Sequence, residues 1–176
     1  LDALSGSLSY PLKYGYAAVG VVEAVGEAVD ADWLGRRVFA FHPHESHFCA
    51  TAEELYPLPE GISAERATLL PTVETAVTLV QDGEPKLGER AIVFGQGLVG
   101  LVTTALLSQF PLERLATVDY SADRRALSRE LGATESVHPE ALDDALPLPG
   151  DASSDSQPAA GEAVGTDLTY ELSGNP

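Results

Sequence analysis

Three glycines and one aspartate form the pattern with the most chemical meaning in this chain: Gly95-Gln96-Gly97-Leu98-Val99-Gly100, then Asp119 at the end of Leu115-Ala-Thr-Val118. Glycine at the first position permits a tight turn, and at the second it lets backbone approach a pyrophosphate. At the third it lets a helix pack closely on a strand. A helix that starts there turns unpaired N–H groups and the positive end of its dipole toward phosphate. A carboxylate closing the next strand accepts hydrogen bonds from adenosine ribose hydroxyls and repels a 2′-phosphate. The expected chemistry is dinucleotide binding through Gly95, Gln96, Gly97, Leu98, Val99, Gly100 and Asp119, with NAD favoured over NADP. Arg124 and Arg125 are the complication, since either offers positive charge to a 2′-phosphate; their alternative is a solvated helix face. A turn chosen only for packing leaves Asp119 unexplained.

Those residues need a strand–helix–strand frame. Glu89–Phe94 is a short apolar run of buried-strand character, Leu101–Gln109 has helical character, and Leu115–Val118 is a second strand. Ala122–Leu131 follows as a second helix, closed by Gly132 as a C′ glycine, with a third strand near Glu135–Val137. Thr166–Ser173 is a fourth strand, which brings Ser173 and Gly174 to the cofactor in a doubly wound sheet. Upstream, valine-rich Ala17–Val25, Val38–Phe41 and Phe48–Thr51 are expected strands, and Tyr56–Gly61 a turn-rich connection. From Ala64 to Val80 the apolar positions suit a helix, with Ser63 as a partial N-cap and Pro71 as a break or kink. Residues 139–165 lack apolar periodicity and suggest a mobile acidic loop, with a short helix near Glu140–Leu146. The expected organisation is a partial β-rich module over 1–63, a linking helix over 64–87 and a dinucleotide-binding domain over 88–176.

The 176 residues include 27 acidic and 10 basic ones, a net charge of −17. Such a surface argues against nucleic acid or anionic membranes as partners. Hydrophobic residues make up 44%, too many for a disordered acidic chain. A folded, salt-adapted protein fits better, its carboxylates hydrated and their repulsion screened. One cysteine, Cys49, allows no internal disulfide and no four-cysteine zinc site. No signal peptide or long apolar span is found, so a cytoplasmic location is expected. The absence of methionine and the abrupt ends suggest an excerpt of a longer polypeptide.

The order of β-rich module, helix and dinucleotide fold resembles the medium-chain dehydrogenase/reductase superfamily over about residues 10–176. The resemblance rests on Gly15 with Gly20-Val21-Val22, Leu34-Gly-Arg-Arg-Val38, Leu58-Pro59, Thr75-Ala76 and the glycine-rich turn. Asp119 with Arg124, Leu131-Gly-Ala133 and Glu171-Leu-Ser-Gly-Asn-Pro176 complete it. It implies an α/β protein, a partial GroES-like β-barrel followed by a Rossmann doubly wound parallel sheet. It also implies a substrate cleft between the two, Thr75 near the nicotinamide, and a homodimer. Zinc members carry Gly-His-Glu where this chain has Gly15-Tyr16-Ala17, and a cysteine where it has Pro71. Neither replacement holds tetrahedral zinc, and the cysteine-rich structural lobe is missing between Phe41 and Phe48. No metal site is expected, in keeping with a similarity to the branch around bacteriochlorophyllide hydroxyethyl dehydrogenases. That similarity rests on Lys13-Tyr-Gly-Tyr16, the 42–47 histidine segment and Val73-Glu-Thr-Ala76.

Without zinc, hydride transfer still needs the substrate oxygen polarised and its proton handled. Tyr16 stands at the vacated ligand position and either donates to that oxygen or fills the space. His42, His44 and His47 suggest a polar loop in which His44 or His47 bonds substrate, a metal site if Pro43 turns the chain, or surface histidines. Glu74 relays a proton if buried, and is otherwise an exposed helix-face acid. The expected function is NAD-dependent, zinc-independent oxidation or reduction of a small alcohol or ketone. An NADPH quinone- or enone-type reductase and a non-catalytic dinucleotide sensor remain alternatives.

Overall fold

A computed structural model of the chain describes residues 13–142 and 165–174, and the chain divides into two compact units after Pro71. In the first unit β1 (Ala18–Val21), β2 (Arg37–Ala40) and β3 (Leu55–Pro57) form an antiparallel sheet in that order. Val38, Phe39 and Ala40 are its buried residues, and Phe39 packs edge-on against Phe41 with ring centroids 5.0 Å apart. β1 is shorter than the valine pattern predicts, because its partner turns away at Gly35 (φ +78°). The strand expected over Phe48–Thr51 does not form. Phe48 stacks flat on His42 at 3.7 Å, and Thr51 opens a capping box with Glu54, whose carboxylate accepts from the Thr51 N–H at 2.7 Å. Tyr56, expected in a turn, lies in β3.

The helix predicted from Ala64 to Val80 is two helices, α1 (Ala64–Ala67) and α2 (Leu70–Gly83). Ser63 caps the first by accepting from the Arg66 N–H at 3.3 Å. The break falls before Pro71, which sits in the first turn of α2, where its missing N–H is no loss. In the second unit β4 (Arg90–Phe94), α3 (Leu98–Leu107), β5 (Arg114–Val118), α4 (Ala122–Glu130), β6 (Glu135–Val137) and β7 (Leu168–Glu171) follow. The four strands are parallel in the order β6-β5-β4-β7, the arrangement of a Rossmann sheet, and the order reverses between β4 and β7. β4 is buried on both faces: Ala91 and Val93 pack with Val80, Leu107, Leu115 and Tyr170, while Ile92 packs with Ala116 and Val118.

Gly132 (φ +108°) closes α4 as expected, with the Ala133 N–H donating to Ser128 O and the Gly132 N–H to Arg129 O. β7 is two residues shorter at each end than Thr166–Ser173. A 3-10 turn, Pro139–Ala141, begins the expected 140–146 helix, whose remainder, with most of the 139–165 loop, lies outside the described residues. Among the described residues no helix is long and apolar enough to cross a membrane.

Tyr170 yields a stability prediction. Its hydroxyl is buried with no hydrogen-bond partner among the described residues, and it lies where a Cβ on Gly83 would meet it at 2.1 Å. Burial, with the charge of Glu89, pushes its pKa above the usual 10.0. The unfolded chain therefore ionises first, so this residue's contribution is intact below pH 10 and lost as pH climbs through the folded value. Tyr170→Phe is expected to be neutral or stabilising by about 1 kcal/mol at pH 7, since an unpaired buried hydroxyl goes. It should also flatten the fall in thermal midpoint between pH 9.5 and 11, a range chosen to bracket about pH 10. A steeper alkaline fall than the parent protein's would overturn it.

Candidate dinucleotide site

The glycine-rich turn lies at the C-terminal end of β4, beside the reversal of strand order where open α/β sheets bind ligands. Gly95 adopts φ +80°, and a Cβ there would sit 2.5 Å from Ser173 Cα, so the turn closes directly onto the chain leaving β7. Gly100 is buried against the same turn: its Cβ would lie 1.9 Å from Gly95 O. Gly97 differs. It is the N-cap of α3, without a side-chain cap, and a Cβ there would meet nothing within 4 Å. Among the described residues no acceptor faces the N–H groups of Gly97, Leu98 or Val99. Open space beside three unpaired donors at a helix start fits a phosphate group. α3 begins three residues earlier than predicted, which turns Leu98 and Val99 from loop into the first helical turn.

Asp119 closes β5 and is largely buried. Its Oδ2 accepts from the Gln96 N–H and its Oδ1 from the Ser121 N–H, both at 2.7 Å. A carboxylate has about four lone-pair sites, so acceptor capacity remains for a sugar hydroxyl. Arg124 Nη1 lies 3.8 Å from Asp119 Oδ2 and the side chain is more than half exposed. Arg125 is committed elsewhere, donating to the carbonyls of Asp119 and Tyr120 at 2.8 Å. Of the two arginines, only Arg124 therefore extends a cation beside the carboxylate. The Gln96 side chain, expected at the cofactor, is instead fully buried and faces the interior. Its inward direction follows from how α3 docks, which no local sequence signal encodes. Ser173 donates its N–H to Glu171 at 2.8 Å, and Gly174 (φ +67°) follows.

The expected catalytic residues are distributed across both units. Glu74 and Thr75 are exposed on α2, which for Glu74 is the alternative of an exposed helix-face acid. Tyr16 is largely exposed in the first unit. The His44 ring lies over Gly15 (φ +94°), whose Cβ would meet it at 2.3 Å, and the His44 N–H donates to Tyr14 O at 2.8 Å. His42 is stacked on Phe48, and His47 pairs with Glu23 at 3.4 Å. Among the described residues no three His, Cys, Asp or Glu side chains gather as a metal site. His47, but not His42 or His44, borders a concavity of about 640 Å³ beside β1 that Val29, Trp33, Phe48 and Cys49 also line.

No protein-family model matches the chain. It is 28% identical to (R,R)-butanediol dehydrogenase of Bacillus subtilis over 94% of this chain and 53% of that protein. It is 30% identical to a probable D-xylulose reductase A of Aspergillus clavatus over 73% of this chain and 45% of the relative. Among solved structures, the quinone oxidoreductase of Thermus thermophilus, studied also with NADPH, superposes with a TM-score of 0.59 at 26% identity, covering 74% of this chain and 42% of that one. The chain thus spans about half the length of the curated relatives it matches. These relatives and this structural neighbour are members of the medium-chain dehydrogenase/reductase family.

Proposed function

We propose that this chain is the cofactor-binding portion of a medium-chain dehydrogenase/reductase that moves hydride between NAD and a small alcohol or ketone without catalytic zinc. The observation that carries the reading is the turn itself, open at Gly97 beside three unpaired N–H groups, with Asp119 fastened to it through Gln96. NAD held there would supply hydride-transfer chemistry at the carbinol or carbonyl carbon of the substrate. The chain's own residues bind and orient it. The N–H groups of Gly97, Leu98 and Val99 would hold the pyrophosphate, and Asp119 would accept from the adenosine ribose. The Tyr16 hydroxyl donates a hydrogen bond to the substrate oxygen, polarising it as reduction adds a proton there. His44, held over Gly15, passes that proton to and from solvent. Zinc independence rests on Tyr16 and Pro71 at the positions where zinc-dependent relatives carry ligands.

A second reading, NADPH-dependent quinone or enone reduction, is favoured by Arg124, 3.8 Å from Asp119, and by likeness to a quinone oxidoreductase whose NADPH complex is known. Titrating the full-length protein with NADH and NADPH in multimolar potassium chloride, by nicotinamide fluorescence, separates the two. Tighter NADH is the expected result; tighter NADPH would transfer the assignment to the second reading, and binding of neither would end both. Tyr16→Phe and His44→Ala are each expected to lower kcat about 100-fold with NADH affinity unchanged, as loss of one positioned proton donor does. Turnover unaltered in both variants would remove them from the mechanism. A wild type that binds NADH but turns over no alcohol or ketone would favour a dinucleotide sensor.

A further inference from the structure

The buried Gln96 side chain is unexplained by dinucleotide binding, yet it makes more hydrogen bonds than any other residue of the turn. Its Nε2 donates to Val93 O and Gly95 O, each at 3.3 Å, and its Oε1 accepts from Thr104 Oγ1 at 3.1 Å. Gln96 and Thr104 are both fully buried. A leucine would fill this volume without needing partners, whereas a buried amide is costly unless its groups are used.

Its use follows from the geometry of one peptide bond. In a trans peptide the C=O of one residue and the N–H of the next point in opposite directions in one plane. Gly95 O is held inward by the Gln96 amide, and the N–H on the other side of that peptide therefore points at Asp119 Oδ2, 2.7 Å away. Gly95, at φ +80°, is the residue in the turn best able to let this peptide rotate. A rotated peptide would withdraw the N–H from Asp119 and aim a carbonyl at a carboxylate.

We infer that Gln96, anchored by Thr104, is a positioning residue that locks the Gly95–Gln96 peptide, so that the ribose-facing Asp119 and the phosphate-facing donors share one geometry before cofactor arrives. The inference rests on the dinucleotide reading for what the site holds, but not for the lock itself. Thr104 provides a clean test, because valine keeps its shape and loses the hydroxyl, whereas serine keeps the hydroxyl and loses a methyl. Two quantities are measured on the full-length protein in multimolar potassium chloride: NADH affinity, and amide hydrogen exchange at Gln96.

Thr104→Val is expected to weaken NADH about fivefold and to speed exchange at Gln96, while Thr104→Ser stays within about twofold of wild type, as for one net hydrogen bond. Gln96→Leu is expected to weaken NADH about 30-fold by losing all three bonds. Serine as harmful as valine would make Thr104 a packing residue and overturn the lock. Exchange and affinity unchanged in the valine variant would overturn it too. Faster exchange in the valine variant, in a protein that binds neither dinucleotide, would keep the lock and sink the cofactor reading alone.

Discussion

Gly100→Ala is expected to lower stability by about 2–4 kcal/mol and to abolish measurable NADH binding, because its new methyl is forced into a packed backbone. The Cβ would meet Gly95 O at 1.9 Å and Gly95 C at 3.0 Å, both backbone atoms that yield only if β4 and α3 separate. Separation would also pull the turn off the Gln96 amide, 3.5 Å from that Cβ. Gly97→Ala is the informative contrast. Its φ of −70° and ψ of −169° suit any residue, and its Cβ would meet no protein atom within 4 Å. The folded protein is expected to keep its thermal midpoint within about 2 °C, as surface substitutions do, while NADH weakens about 10- to 100-fold. A methyl in the open space beside the donors of α3 takes room that only a ligand would occupy. Calorimetry beside a fluorescence titration checks both variants, and NADH binding by Gly97→Ala at wild-type strength would mean that no pyrophosphate lies against that glycine.

How much of this site the sequence disclosed follows from which interactions are local. The three glycines and Asp119 were legible because turn, close approach and strand end are set within a few residues. β4 and β5 are legible for a similar reason, each a largely apolar run of strand length that is buried along most of its residues. Gln96 was not, since its burial and its bond to Thr104 depend on how α3 docks on β4. The start of α3 at Leu98 carries no local signal, because Gly97 supplies no side-chain cap to mark it. Thr51-x-x-Glu54 carries a readable capping-box spacing, and Thr51, the end of the expected strand, is the N-cap of a 3-10 helix over Ala52–Glu54. Pro71 reads as a break inside one long helix, yet it sits in the first turn of α2, the position that tolerates it. The β-rich unit was the harder half, for His42 on Phe48 and His44 over Gly15 are contacts between residues that no periodicity links.

Asp119→Asn is expected to shift the site from NADH toward NADPH, weakening NADH about 30- to 100-fold, because one carboxylate serves two purposes. Within the protein it receives two backbone N–H groups at 2.7 Å, from Gln96 and Ser121. An amide can accept only one of them, and its NH2 would oppose the other, so stability is expected to fall by about 2 kcal/mol. Toward the ligand it loses the charge that repels a 2′-phosphate and frees Arg124, which lies 3.8 Å from Oδ2 and is more than half exposed. NADPH affinity should therefore hold or rise while NADH affinity collapses. The double variant Asp119→Asn with Arg124→Ala tests the second half: the NADPH gain should vanish, and the NADH loss should remain. Parallel losses for both cofactors would mean that Asp119 acts only as the clasp of the turn, and that the ribose and its phosphate are sensed elsewhere. Arg125 makes the test specific to Arg124, because its guanidinium is already engaged with the Asp119 and Tyr120 carbonyls and has its own structural task. Since Asp119 reaches the turn through the Gln96 N–H, combining Asp119→Asn with Thr104→Val should give less than additive losses of NADH affinity. Additive losses would place the amide lock and the ribose carboxylate in separate circuits.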